Sequence, residues 1–478
     1  MKNIKVTITV LMALFLFQSC SEDKMDEINE NKNNPTDVPT SLAITDVMIS
    51  SGFSTTGADN SFYAGVYSEL NAGNHNQMYN AQIRRGEPQL ATTYNNSWVE
   101  IYSQLRSLKI IIEKCTTGKE KGNYQTLGVA QILFAYNLAI LTDLFGDVPY
   151  SEALQPNTIF QPKIDKQEAI YEAIFQRLNE GISNLDKTTT YAGLGNQDLI
   201  YKGDSKKWKK AANGLLARYT MRLSLRKADY QAVINYVNAS FSGVDEEFKL
   251  ANDAIPNPYA RFQVNVGAIS VAKSFYDIMI ANGATDARTN AFFSKIDGVV
   301  KPFDNASLAT IEGQGIYSIS AIISEKNPIY LLSYHELLFL KAEAEARLGL
   351  TTAQTTMNDA IKAAFTKKQV VTFTAAQADT YIASIGILTG NALLKKIMVE
   401  KYISFYENEG IECYNDIRRL KAMGNGDFIP MVNPKPAFFP QRFGYGQSDV
   451  SANLNIKEAF GDGSYVYSEN VWWAGGTR

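Results

Sequence analysis

The sequence predicts a mainly α-helical chain, a scaffold of degenerate helix pairs with a loop-rich layer beside it. Three observations carry that prediction. Apolar residues recur at three- and four-residue intervals over several long stretches. Leu340, Ala342, Ala344, Ala346 and Leu348 lead to Gly349, and Ala353, Met357, Ala360 and Ala364 follow, so a small-residue helix, a glycine turn and a second small-residue helix stand in tetratricopeptide order. The stretches 51–98, 191–204, 241–330 and 424–478 break the helical pattern and concentrate glycine, asparagine and aromatic residues. Loops of that length usually carry function or pack as a layer of their own. No strict repeat period is present, so three or four degenerate pairs are expected.

Lys2 and Lys5 precede a 12-residue apolar run over 6–17, broken only by two threonines. A membrane-spanning helix needs roughly 18 or more apolar residues, so the run reads as a signal-peptide core. Residues 1–19 are therefore expected to be a signal peptide. Cys20, after Leu16-Phe17-Gln18-Ser19, is expected to be the acylated first residue of the mature chain. Loss of Lys2 and Lys5 with the leader takes the net charge from −3 to −5. Residues 20–40 are polar and rich in asparagine and proline, a lipidated flexible tether. The remainder, 41–478, is expected to be a single domain.

Within it, Leu127, Phe134, Leu138, Leu141 and Phe145 predict a helix over Tyr124–Phe145. A second helix over 165–186 opens on Asp165 and Glu168 in capping-box spacing and repeats Ile170, Ile174, Leu178 and Ile182. A third, 208–226, places Trp208, Ala212, Leu215 and Tyr219 on one face, and 330–350 and 393–407 complete the strong helices. The 478 residues carry 46 Lys+Arg against 49 Asp+Glu and no extended basic tract, which argues against nucleic acid as a partner. Two histidines, His75 and His335, leave little room for a His-based metal set. Of the three cysteines, Cys115 and Cys413 are expected to be buried free thiols, although export would permit a disulfide between them.

Catalytic motifs are missing. His335-Glu336 has no histidine four residues after His335, Thr117-Gly118-Lys119 lacks the frame of a phosphate loop, and no Gly-x-Ser-x-Gly elbow occurs. A two-carboxylate glycosidase is not excluded by spacing. The Lys206-to-Lys210 cluster around Trp208, the Asp143/Asp147 pair and Asp416 beside Arg418 and Arg419 are each expected to be structural, and Arg84-Arg85 a solvated pair.

Ordered motifs run along nearly the whole mature chain. They include Asn33-Asn34-Pro35-Thr36, Thr142-Asp143-Leu144-Phe145-Gly146-Asp147-Val148-Pro149-Tyr150, Lys207-Trp208-Lys209-Lys210-Ala211, Glu400-Lys401-Tyr402, Asn415-Asp416-Ile417-Arg418-Arg419 and Pro440-Gln441-Arg442-Phe443-Gly444. With them the sequence resembles the SusD/RagB group of nutrient-binding outer-membrane lipoproteins. The resemblance implies a binding protein, not an enzyme, with no cofactor or metal. It implies anchorage to the outer leaflet through Cys20 and capture of oligosaccharides or peptides. It also implies a SusC-like TonB-dependent transporter as partner, and a ligand held on the loop layer. A surface glycoside hydrolase and a non-nutrient assembly or adhesion lipoprotein stay as rival readings.

The segment from Asn71 to Tyr79 is dense in amides and flanked by tyrosines. Sugars present apolar C–H faces ringed by hydroxyls, so flat rings beside amides suit them. Tyr63, Asn71, His75, Tyr79 and Tyr94 are the expected ligand contacts, with Tyr259, Arg261 and Tyr317 on other loops as substitutes.

Overall fold

The computed structural model describes residues 37–155, 158–251, 254–367 and 369–478. The signal peptide, Cys20 and nearly all of the tether lie outside them. Thr40–Arg478 is one compact unit. Its helices are α1 (Thr40–Ser50), α2 (Asp59–Tyr67), α3 (Asn76–Gln82), α4 (Asn95–Thr116), α5 (Tyr124–Phe145), α6 (Gln167–Leu185), α7 (Ser205–Arg222) and α8 (Tyr230–Asn238). There follow α9 (Pro258–Val266), α10 (Lys273–Ala281), α11 (Arg288–Ala291), α12 (Tyr334–Arg347), α13 (Ala353–Phe365), α14 (Ala375–Ile385), α15 (Gly390–Ser404) and α16 (Gly410–Ala422). Three short helices close the chain, α17 (Gln447–Ala452), α18 (Leu454–Phe460) and α19 (Tyr465–Ser468).

Helix packing follows chain order. α4 lies against α5, α5 against α6, α6 against α7 and α7 against α8; α8 then meets α12, which packs on α13 and α15. Residues 239–333 are thus an insertion between two neighbours of the stack, and they form much of the loop layer. Three small antiparallel strand pairs pin loops together: β1 (Asn71–Gly73) with β5 (Ile269–Val271), β2 (Val148–Pro149) with β3 (Ile164–Asp165), and β4 (Phe248–Leu250) with β6 (Ile329–Leu332).

The centre of the stack is α5, in which every residue from Thr126 to Phe145 is buried. It is long and apolar enough to cross a membrane, yet it is covered by protein on all sides, as a core helix is. Its approach to α6 depends on two glycines. A Cβ on Gly128 would lie 2.8 Å from the Gly181 carbonyl oxygen, and one on Gly181 would lie 3.0 Å from the Gly128 carbonyl oxygen. Ile170, Ile174 and Leu178 of α6 are buried at the predicted spacing. In α7, Asp204 caps the first turn, and Trp208 is buried with its indole donating to Asp198 at 2.7 Å. None of the four lysines around Trp208 is buried.

Three expectations change. The 51–98 stretch contains α2, α3 and the start of α4, and from Asn60 to Tyr67 every residue of α2 is buried, so no amphipathic period marks it. The helix expected over 330–350 begins at Tyr334, because Ile329–Leu332 pairs as β6 and Ser333 caps the helix by accepting from the Glu336 amide. Arg84 is buried, not solvated; its Nη1 donates to the Ala81 carbonyl at 2.6 Å and its guanidinium lies over Tyr67. Cys115 and Cys413 are buried free thiols.

Buried charges cross the helix junctions in pairs. Arg218 of α7 grips Glu336 of α12 at 2.6 Å, and Arg222 joins Asp143 of α5 to Glu412 of α16. Arg419 of α16 holds Glu343 of α12 at 2.7 Å, while Asp416 takes Lys401 of α15 at 2.7 Å. Burial alone would raise Glu343, but Arg419 and Arg347 hold it down at about 2. Glu407, at φ 72° between α15 and α16, is different. It is buried near the Tyr406, Tyr259 and Ser320 hydroxyls, and burial pushes its carboxyl up to about 7.

Arg419→Met, which takes one of the two arginines from Glu343 and leaves it Arg347 alone, is expected to cost about 3 kcal/mol in urea denaturation. Loss of the exposed Lys273–Asp277 pair by Lys273→Met should cost less than about 1 kcal/mol. Equal costs would remove the special standing of the buried network. For Glu407 the folded chain binds the proton more tightly than the unfolded chain, whose ordinary value is 4.5. Its contribution is therefore complete below that value and is lost as pH rises through about 7. Wild-type stability should fall relative to Glu407→Gln by about 1.4 kcal/mol per pH unit between the two values and level off above. A difference that stays constant with pH would show the group unperturbed.

Candidate functional site

The amide-rich segment read from the sequence sits where three loop segments meet. Asn74, buried, donates through Nδ2 to the Gly267 carbonyl at 3.2 Å and to the Gly313 carbonyl at 2.7 Å, and its own carbonyl accepts from the Gly313 amide at 2.8 Å. The Asn76 amide donates to Glu312 at 2.9 Å, and Gln314 donates to the Val266 carbonyl. One short segment thus fixes both the C-terminal end of α9 and the 304–319 loop. The amides are used to assemble the surface, which is the requirement for buried polar groups.

The five expected contact residues separate into two groups. Tyr63, Asn71 and Tyr94 are 4%, 4% and 1% exposed. Tyr94 is stacked on Phe443 at 4.1 Å, its hydroxyl meets that of Tyr67 at 2.8 Å, and Tyr63 packs edge-on against it at 5.2 Å. Asn71 belongs to β1, opposite Val271. These rings belong to the junction of α2, α4 and the C-terminal segment, and as placed they offer no free face for stacking. His75 is half-buried, whereas Tyr79 is 8% exposed with its ring edge-on to Phe303 at 6.3 Å. His75 Nδ1 stands 3.2 Å from the Glu312 carboxylate, and the Tyr79 hydroxyl donates to the Thr310 carbonyl at 3.0 Å.

Around His75 the surface is made by residues the sequence did not single out. Val264 on α9 is 76% exposed and Ile311 on the facing loop is 70% exposed, with Ile316 beside them. Tyr317 anchors this loop from beneath, with its ring against Phe303 at 4.9 Å and its hydroxyl donating to the Ile311 carbonyl at 2.8 Å. Arg261 is exposed on α9, while Tyr259 is buried. The outcome is an aliphatic tip on a firmly tethered loop, rimmed by His75, Glu312 and Arg261. No sequence signal marks Val264 or Ile311, because a single exposed aliphatic on a short helix or a loop belongs to no period.

The remaining sequence features fall into structural roles. Asp143 binds the Tyr171 hydroxyl and Arg222, and burial pushes its carboxyl up. Asp147 accepts from the Gln167 amide at 2.8 Å at the start of α6. Gly146 between them has φ 79°, and a Cβ there would meet the Arg442 guanidinium at 2.3 Å. Trp98 is buried with its indole on Asp449 at 2.7 Å. Among the described residues, no three His, Cys, Asp or Glu side chains converge as a metal set.

None of the curated proteins matches the chain. Among solved structures, a SusD/RagB family protein from Bacteroides thetaiotaomicron is 34% identical, with a TM-score of 0.82, covering 92% of this chain and 100% of that one. A SusD homologue from Bacteroides fragilis (18% identity, TM-score 0.73, 91% and 100% coverage) shares the fold. So does a chitin-binding SusD homologue from Flavobacterium johnsoniae (20% identity, TM-score 0.71, 91% and 98% coverage). The SusD-like family described as "Starch-binding associating with outer membrane" matches residues 32–445, and with the helical stack and its inserted loop layer in place the chain belongs to that family.

Proposed function

We propose that this chain is a surface lipoprotein of the outer membrane that captures a nutrient oligosaccharide or peptide and passes it to a SusC-like TonB-dependent transporter, without catalysis. The observation that carries the reading is the family match over 32–445, with 34% identity to the Bacteroides thetaiotaomicron protein along 92% of this chain. The signal-peptide core and Cys20 support a lipid anchor, and the family description supports the outer membrane as its place. One lipidated cysteine with more than one acyl chain anchors far better than a single chain does.

For the ligand, the family description favours a glycan, and the chitin-binding homologue from Flavobacterium johnsoniae supports chitin-like chains as probes. The aliphatic tip formed by Val264 and Ile311 supports a peptide with apolar side chains as the second class. For both classes the proposed contact is on the loop surface at His75, with the buried Tyr79 acting by holding the Thr310 loop.

Cys20→Ala is expected to move the protein from the membrane fraction to the soluble fraction, and mass spectrometry should find lipid on the peptide beginning at Cys20. Unchanged partitioning would end the anchor proposal. In calorimetry against maltohexaose, chitohexaose and apolar peptides, His75→Ala should weaken the ligand that binds by about tenfold, the equivalent of roughly 1.4 kcal/mol. Tyr79→Ala should weaken it by at least as much by freeing the Thr310 loop. If both variants fold and bind within twofold of wild type, the ligand lies elsewhere. Turnover of any probe would restore the glycosidase reading.

A further inference from the structure

A cleft of about 810 Å³ opens on the helical stack, away from the loop residues considered above, between α6, α7, α8 and the turn at Trp472. That volume lies within the range of small-ligand sites. Half-buried rings from three separate elements line it: Phe175 of α6, Tyr236 of α8 and Trp472 near the C-terminal end. Glu168 and Glu172 stand four residues apart on α6, so both occupy one wall. Both are exposed, and neither carboxylate has an ion-pair or hydrogen-bond partner among the described residues.

We propose that this cleft docks an extended segment of a partner protein that presents a lysine or arginine beside an apolar side chain. Charge and ring complementarity select that occupant. An ammonium or guanidinium group is attracted both to aromatic faces and to unpaired carboxylates, and each attraction strengthens when water is excluded. A polyhydroxyl ligand needs several neutral donors and acceptors, and the lining has no Asn or Gln and one aliphatic hydroxyl, that of Thr220. Stacked helix pairs also present elongated surfaces suited to an extended chain.

Arg226 borders the same cleft but does not cancel the acidic wall. Its guanidinium lies over the Trp472 ring at 5.2 Å, and it donates to the Trp472 and Gly476 carbonyls. Its hydrogen bonds hold the C-terminal turn and fix one ring of the cleft. Lys227 on the rim is exposed and without a partner among the described residues. It disfavours a second cation at that end, where the neighbouring Asp229 is engaged as the cap of α8, accepting from the Ala232 amide at 3.0 Å, so the basic residue belongs at the α6 wall.

The test is fluorescence anisotropy of the purified full chain with a fluorescein-labelled Gly-Arg-Leu-Gly-Arg-Leu-Gly peptide. The same peptide with Glu in place of Arg is the control, and maltohexaose and chitohexaose are the competitors. The basic peptide should bind saturably, and the acidic one should not. Glu168→Gln with Glu172→Gln should weaken binding by about tenfold or more, and raised salt should weaken it further, because exposed charges are screened. Lys227→Glu should tighten it. Both substitutions fall on exposed side chains, so circular dichroism is expected to be unchanged. Binding insensitive to the double substitution, or no saturable binding at all, overturns the proposal. An oligosaccharide that displaces the peptide and depends on Trp472 would overturn it in favour of a glycan site. Because His75 and Tyr79 are not involved, failure here leaves the loop-surface reading standing, and the reverse also holds.

Discussion

The constraint on which the rest of the structure depends is the completeness of its buried ion network. Asp143, Arg222, Glu412, Arg218 and Glu336 link α5, α7, α16 and α12, and Glu343, Arg419, Asp416 and Lys401 extend the links to α15. A charge taken out of water costs several kcal/mol unless a partner meets it in good geometry. Each of these helices therefore has a narrow range of positions in which no charge is stranded. Apolar faces alone would tolerate sliding by a turn, since Leu, Ile and Ala faces of similar volume pack interchangeably. The network sets the register, and the apolar contacts supply the net stabilisation.

That division explains how a loop layer is inserted into a helical stack without weakening it. α8 and α12 are neighbours in space although residues 239–333 separate them in sequence. The Arg218–Glu336 pair and the β4–β6 pairing hold the two ends of the insertion at fixed points of the stack. The middle of the insertion is anchored by Arg288, which binds Asp286 at 2.9 Å and Glu400 of α15 at 2.8 Å. Burial would raise Glu400, but Arg288 and Lys396 bring it down to about 2. The layer between those points is free to carry a surface chosen for binding, because none of the scaffold pairs named above requires its tip.

The long helices were legible in the sequence because a half-buried helix writes its period into the residues. Tyr124–Phe145 was read with its observed bounds, and the buried faces of α6 and α7 fall at the predicted positions. The family resemblance was legible for another reason, the order of many short motifs, several of which are the network itself: Asp143, Glu400, Asp416 and Arg419. What failed to show was whatever lacks a period. α2 is buried on every side, and the Ile329–Leu332 run is apolar enough to pass for helix until Ser333 and Glu336 are read as its cap. The rings Tyr63 and Tyr94 carry one physical ambiguity: tyrosines beside amides suit a sugar, and they equally suit a junction where hydroxyls must find partners. Tyr67 and Tyr94 meet hydroxyl to hydroxyl at 2.8 Å inside such a junction.

The same ambiguity separates the two surfaces this chain offers. On the loop layer the amides are spent on backbone, as Asn74 shows, and what remains outside is aliphatic with a histidine and a carboxylate. In the helical cleft the reverse holds: the rings stay half exposed and the carboxylates of Glu168 and Glu172 are unspent. A group already bonded within its own chain contributes little to binding, whereas an exposed carboxylate exchanges water for the ligand and gains the net difference, about 1.5–3 kcal/mol for a bond to a charged group. By that criterion the proposed loop site would recognise chiefly through shape and apolar contact, and the proposed cleft site through charge. Two surfaces of such different chemistry would not compete for one ligand, which is what the two proposals together require.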